Sequence, residues 1–120
     1  AKYAIAAGAD KFILKARNFN SSSPTYFGLV AITEDMAVTP LIPTFTPGEG
    51  VENYLGEPVG GQIFKFINED GGQGNPEKYA TFEYDLSAFD GKNVVLALGV
   101  VKGEDSGTED KLCIYSISIN

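Results

Sequence analysis

From Lys11 to Phe19 the side chains alternate, with Phe12, Leu14 and Ala16 on one face and Ile13, Lys15 and Arg17 on the other. This is the two-residue period of a strand that buries one of its faces. The period returns in Gln62 to Ile67, where Ile63 and Lys65 oppose Phe64 and Phe66. In Lys78 to Leu86 the expected core face is Ala80, Phe82, Tyr84 and Leu86, and the other is Tyr79, Thr81, Glu83 and Asp85. Lys111 to Ile119 repeats it, with Cys113, Tyr115, Ile117 and Ile119 in one phase and Leu112 and Ile114 in the other. Thr25 to Thr33 and Asn93 to Lys102 are β-rich and apolar on both faces, which suits strands in the middle of a sheet. Lys2 to Ala7 reads as a short strand, with a helix as the alternative because of its alanines.

The breaks between these runs are rich in turn formers. Asn20 to Pro24 makes the strands on either side of it a candidate hairpin. Pro40, Pro43, Pro47 and Pro58 fall between Thr39 and Gly60. Proline cannot donate to a sheet ladder, so this stretch is expected to be a long surface connection with at most short edge strands around Leu41 to Phe45. The loop from Asn68 to Lys78, NEDGGQGNPEK, is expected to be the most flexible part of the chain. Its GGQG lacks the lysine and following helix of a phosphate-binding loop. Leu86 and Phe89 stand three apart, as on one helical turn, and Gly91 can supply a left-handed exit. With about seven strands, no longer helix and no internal repeat, residues 1–120 are expected to form a single all-β domain, a two-sheet antiparallel β-sandwich.

Composition removes whole classes of function. Sixteen acidic residues against nine basic ones give a formal charge of −7, and Arg17 is the only arginine, so nucleic acid and anionic membranes are poor partners. No apolar run approaches the ~20 residues that cross a bilayer; Val94 to Val101 has the length of a strand. The absence of histidine excludes Ser-His-Asp and Cys-His nucleophile systems and histidine-based zinc sites. Paired carboxylates across a deep cleft do not suit so small a sandwich, and a catalytic role is not expected. Tryptophan is absent too, leaving six tyrosines and eight phenylalanines for any stacking on a ligand. Cys113 has no partner for a disulfide and is expected to be a small buried hydrophobe. The chain opens at Ala1 without a methionine or a leader, as a mature or excised fragment would.

One stretch carries a resemblance. YDLSAFDGKNVVLALGVVKG, followed one acidic turn later by DKLCIYSISI, resembles the closing half of galactose-binding-like jelly-roll domains, as found in carbohydrate-binding modules of secreted bacterial glycan-degrading enzymes. The likeness runs from Ala80 to Ile119, about a third of the chain. It implies a jelly-roll sandwich, a polysaccharide or oligosaccharide partner, tethering to other domains, and an extracellular or cell-surface location. Two features of that family are not matched. The opening segment that ends in a tryptophan is missing, and Tyr115 and Ser116 stand where an aspartate of the last strand helps to hold a structural calcium.

Sugar recognition requires flat aromatic faces with fixed donors and acceptors around them. Tyr26, Tyr54 and Tyr79 lie in or beside expected loops, and Arg17, Asn18, Asn20 and Gln62 could supply the polar contacts. Ordinary loop tyrosines with half-buried rings account for the same pattern. A guanidinium on a sheet face suits a pair of sugar hydroxyls or a carboxylate, and a salt bridge to a neighbouring acid is equally open for Arg17. A structural calcium would find oxygen ligands in Glu69, Asp70 and Asn75 or in Glu104, Asp105, Glu109 and Asp110. Neither group fits a calcium-loop frame, and solvated acidic turns are the favoured reading. Two functions follow: a non-catalytic carbohydrate-binding module, or a structural or protein-interaction sandwich without a small ligand.

Overall fold

The structure is a computed structural model and describes residues 2–4, 10–18, 25–52, 54–59, 63–68, 76–101 and 112–119. Among the described residues ten strands run in chain order: β1 Lys2–Ala4, β2 Lys11–Asn18, β3 Thr25–Thr33, β4 Val38–Leu41, β5 Thr44–Thr46, β6 Tyr54–Val59, β7 Ile63–Asn68, β8 Ala80–Asp85, β9 Asn93–Val101 and β10 Leu112–Ile119. One sheet has the order β1-β9-β3-β7-β6, with β4 also paired to β3, and the other has the order β10-β2-β8-β5. Every pairing is antiparallel. The long-range pairs are nested: β2 with β10, β3 with β9, β5 with β8 and β6 with β7. The described strands therefore form two packed antiparallel sheets, the all-β sandwich expected.

The inner faces are those the alternation marks. Phe12, Leu14 and Ala16 of β2, Phe64 and Phe66 of β7, and Ala80, Phe82 and Tyr84 of β8 are all buried in one core, with Leu86 and Phe89 closing it. Phe82 stands at its centre, with ring centroids 4.9 Å from Phe27, 5.1 Å from Phe66, 5.3 Å from Phe64 and 5.4 Å from Phe45. Phe82 and Phe45 belong to one sheet and Phe27, Phe64 and Phe66 to the other, so edge-on and tilted ring contacts tie the layers together. After β8, Asp85 accepts the Ser87 N–H at 2.9 Å, and this bond holds its carboxyl below the usual range. A 3₁₀ turn, Ser87–Phe89, follows, and Gly91 leaves it at φ 74°, as expected.

Several expectations are corrected. β2 and β3 are not a hairpin: they lie in different sheets, β2 between β10 and β8 and β3 beside β9 and β7. A short polar break permits a hairpin but equally permits a crossing between layers. The proline-rich stretch holds three strands, β4, β5 and β6, and β6 was not foreseen. Among the described residues β6 is an edge strand and β4 pairs only with β3, so Pro58 and Pro40 need not donate to a second neighbour. β1, Lys2–Ala4, is strand rather than helix, and residues 5–7 of the expected strand lie outside the described residues. Residues 69–75 of the expected flexible loop Asn68 to Lys78, and the acidic turn at 103–110, lie outside the described residues.

β9 sits between β1 and β3 as expected, yet only one phase, Val94 and Leu96, is buried, while Ala97 and Gly99 are exposed on the outer face. In β10 a bulge between Ile114 and Ser116 shifts the register. The phase grouping Cys113, Tyr115, Ile117 and Ile119 is therefore split: Cys113 pairs with Arg17 on the outer face, and Ile117 and Ile119 pair with Leu14 and Phe12 on the inner one. Cys113 is half-buried on that outer face rather than a core residue.

Tyr84 has its ring against Phe12 in the core, and its buried hydroxyl meets no hydrogen-bond partner among the described residues. Burial pushes this hydroxyl's pKa upward. An unsatisfied buried hydroxyl costs stability, so Tyr84→Phe should raise stability by about 1 kcal/mol, measured as a higher urea midpoint at unchanged slope.

Candidate functional site

β2 and β8 are adjacent in their sheet, with Lys15 opposite Thr81 and Ala16 opposite Ala80. Residues with odd numbers in β2 point away from the core, so Ile13, Lys15 and Arg17 line the outer face. Tyr79 immediately precedes β8 and stands beside them. The guanidinium carbon of Arg17 lies 5.9 Å from the centroid of the Tyr79 ring, and Arg17 itself is buried, 8% exposed. On the other side of β2, Tyr115 lies on the same face, two residues beyond Cys113, which is opposite Arg17. Its ring centroid is 5.7 Å from that of Tyr79 at 62°, and the Lys15 ammonium is 5.7 Å from its centre.

The result is a compact cluster on an open sheet surface: two tyrosine rings meeting edge to face, each with a cation against it. Tyr115 is 56% exposed, whereas Tyr79 is half-buried. Ser116, Ser118 and Thr81 surround the cluster with hydroxyls on the same face. At the far end of that face Lys11 binds Glu83 at 2.8 Å. The hydrogen bond and charge of Glu83 raise the lysine's pKa.

Of the residues singled out in the sequence, Arg17 and Tyr79 are brought together. Tyr26 is elsewhere: it is buried in β3, opposite Lys65 and Val101, on the outer face of the other sheet. Tyr54 works inside the sandwich. Its ring stacks on Phe66 with centroids 5.4 Å apart, and its hydroxyl donates to the Lys78 carbonyl. Asn20 and Gln62 lie outside the described residues, as do the acidic residues considered for calcium. Among the described residues no group of three or more acidic or cysteine side chains could hold a metal ion.

Lys15 and Tyr115 were missed as site residues. Lys15 shares the alternation phase of Arg17, so that signal was present. Tyr115 reaches the cluster only through the register of β10 on β2, which local periodicity does not encode.

An open depression lies at one end of the sandwich, lined by Thr33, Glu34, Asp35, Lys92 and Asn93. Its polar groups mostly serve the β3–β4 turn. Asp35 accepts from the Thr33 hydroxyl and the Ala37 N–H, which hold its carboxyl below the usual range, and Glu34 accepts from Asn93 at 2.8 Å. The aromatic cluster is the better-equipped surface for a ligand, although it is a face rather than a cavity. Neither a family model nor a curated protein nor a solved structure matches this chain.

Proposed function

We propose that the chain is a non-catalytic carbohydrate-binding module of a larger extracellular or cell-surface protein, and that it holds an oligosaccharide against the outer face of the β10-β2-β8-β5 sheet. The observation that carries this reading is the Tyr79–Tyr115 pair flanked by Arg17 and Lys15. An exposed ring offers a flat apolar surface to the C–H face of a sugar, and cations fixed beside it donate to hydroxyls or carboxylates without losing side-chain freedom on binding. Because Arg17 is already buried against its ring, little ordering remains to be done. The surface is open to water, which suits retention of a polymer rather than chemistry on it.

Tyr115→Ala tests the reading. Retention on polysaccharide affinity gels should weaken about tenfold, while the far-ultraviolet circular dichroism stays unchanged because the ring is largely exposed. If the unaltered protein is retained on no plant, algal or host polysaccharide, the proposal is wrong.

The alternative, a protein-interaction sandwich, has an observation of its own in the apolar side chains exposed along β10.

A further inference from the structure

Directly opposed residues of antiparallel strands share a face, so the outer face of the β10-β2-β8-β5 sheet can be followed row by row. One row is Ser116, Lys15, Thr81 and Thr46, an ammonium with hydroxyls on both sides of it, one residue from each strand. The next row is Ser118, Ile13, Glu83 and Thr44, and beyond it Lys11 is opposite Asp85. On the other side of Lys15 are Arg17, Cys113 and Tyr79. The charges of these strands are therefore segregated. Glu83 is diagonal to both Lys11 and Lys15 and binds Lys11, at 2.8 Å. Asp85, farther away, accepts the Ser87 N–H. Lys15 makes no ion pair among the described residues, and its ammonium rests against the Tyr115 ring.

We propose, resting on the reading that this face holds an oligosaccharide, that Lys15 selects a sugar bearing a carboxylate, and that the ligand is a largely neutral glycan with isolated uronic acids. Tyr115 is 56% exposed and Lys15 is half-buried, so both can touch a ligand, whereas Arg17 is 8% exposed and lends its charge from beside Tyr79. The contact between Lys15 and the ring is one the ammonium can give up. At an exposed site a cation–π pair is weaker than a charge-assisted hydrogen bond to a carboxylate, and the four-carbon stem of lysine lets the ammonium move from one to the other. The hydroxyls of Ser116 and Thr81, on either side, can donate to the remaining carboxylate oxygen or to sugar hydroxyls.

The same charges limit how acidic the ligand can be. At physiological salt electrostatic interactions are screened over about 8 Å, so one carboxylate at Lys15 answers chiefly to the cations of the cluster. A polymer charged at every sugar runs on past them along a chain of formal charge −7, which repels it. Local positive and overall negative charge together favour the sparsely acidic glycan over both the neutral one and the polyanion.

Affinity electrophoresis of the whole chain tests the proposal with galactan, glucan and mannan in the gel, each native and with a sparse fraction of its primary alcohols oxidised to carboxylates, and with polygalacturonate. Sparse oxidation should tighten binding to the retained polysaccharide about fivefold, and polygalacturonate should bind more weakly than the sparsely oxidised polymer. Lys15→Gln removes the charge but keeps a polar side chain of similar reach. It should abolish the gain from oxidation, change affinity for the native polysaccharide by less than about twofold, and leave the circular dichroism unaltered. Lys92→Gln, which removes the same charge at the end of the sandwich, should preserve the gain. Retention indifferent to oxidation, a gain that survives Lys15→Gln, or tighter binding of polygalacturonate overturns the proposal and leaves the carbohydrate-binding reading standing. Retention on none of these gels overturns both.

Discussion

Phe82→Ala should cost about 4 kcal/mol of folding stability, the largest effect expected of any single side chain here. The ring is fully buried, and its neighbours Phe27, Phe45, Phe64 and Phe66 come from both sheets, with centroids 4.9 to 5.4 Å away. Truncation removes the transfer free energy of the ring and leaves a cavity that four strands, β3, β5, β7 and β8, would have to collapse together to fill. They cannot easily do so, because β8 is fixed by ladders to β2 and β5, and β3 by ladders to β4, β7 and β9. Against a total stability of about 5–15 kcal/mol for a domain of ordinary size, such a loss threatens folding at physiological temperature. Urea unfolding followed by circular dichroism reads it as a lower midpoint at unchanged slope. A loss below about 1 kcal/mol would mean that the aromatic cluster does not hold the layers together.

How much of this was legible beforehand follows from the physics of each element. Burial of one phase repeats every second residue, so the inner faces of β2, β7 and β8 could be read directly from the chain, as could the turn from Leu86 to Gly91. Partnership is not local. β2 meets β10 across most of the chain's length, and nothing in the alternation of either strand names the other, so the hairpin of β2 with β3 looked as plausible as the true sheet order. The same limit hid half of the candidate site. Arg17 stood out as a lone guanidinium on a strand face, and Tyr79 as an aromatic at a strand end. Tyr115 joins them only because β10 pairs with β2 in the register that sets Cys113 opposite Arg17. Of the strands in the proline-rich stretch, β6 escaped notice for a different reason: an edge position relaxes the very restriction from which a loop was inferred.

Gly48→Ala should destabilise by about 3 kcal/mol and should also weaken any ligand binding at the tyrosine cluster. Gly48 is buried with its backbone laid against the 3₁₀ turn Pro76–Lys78, so that a β-carbon placed there would overlap the Lys78 carbonyl. Neither side can yield freely. The Glu49 N–H donates to the Glu77 carbonyl at 2.9 Å, the Val51 N–H to the Gly48 carbonyl at 3.3 Å, and the Tyr54 hydroxyl to the same Lys78 carbonyl that the new methyl would displace. Displacing that carbonyl breaks the Tyr54 bond and moves the next residue, Tyr79, against which Arg17 rests. Gly50→Ala separates this clash from simple backbone preference. Gly50 has φ 70° but nothing within 4 Å of a β-carbon, so alanine there should cost only the left-handed penalty of about 1 kcal/mol and leave Tyr79 in place. Thermal melts and affinity gels on the two variants give the comparison. Equal losses of stability, or full retention of ligand by Gly48→Ala, would show that the contact at Lys78 does not position the cluster. The larger loss for Gly48→Ala, accompanied by weaker retention, is the expected outcome, because a backbone overlap must move the strand end that carries the ring, whereas an unfavourable dihedral in open space need not.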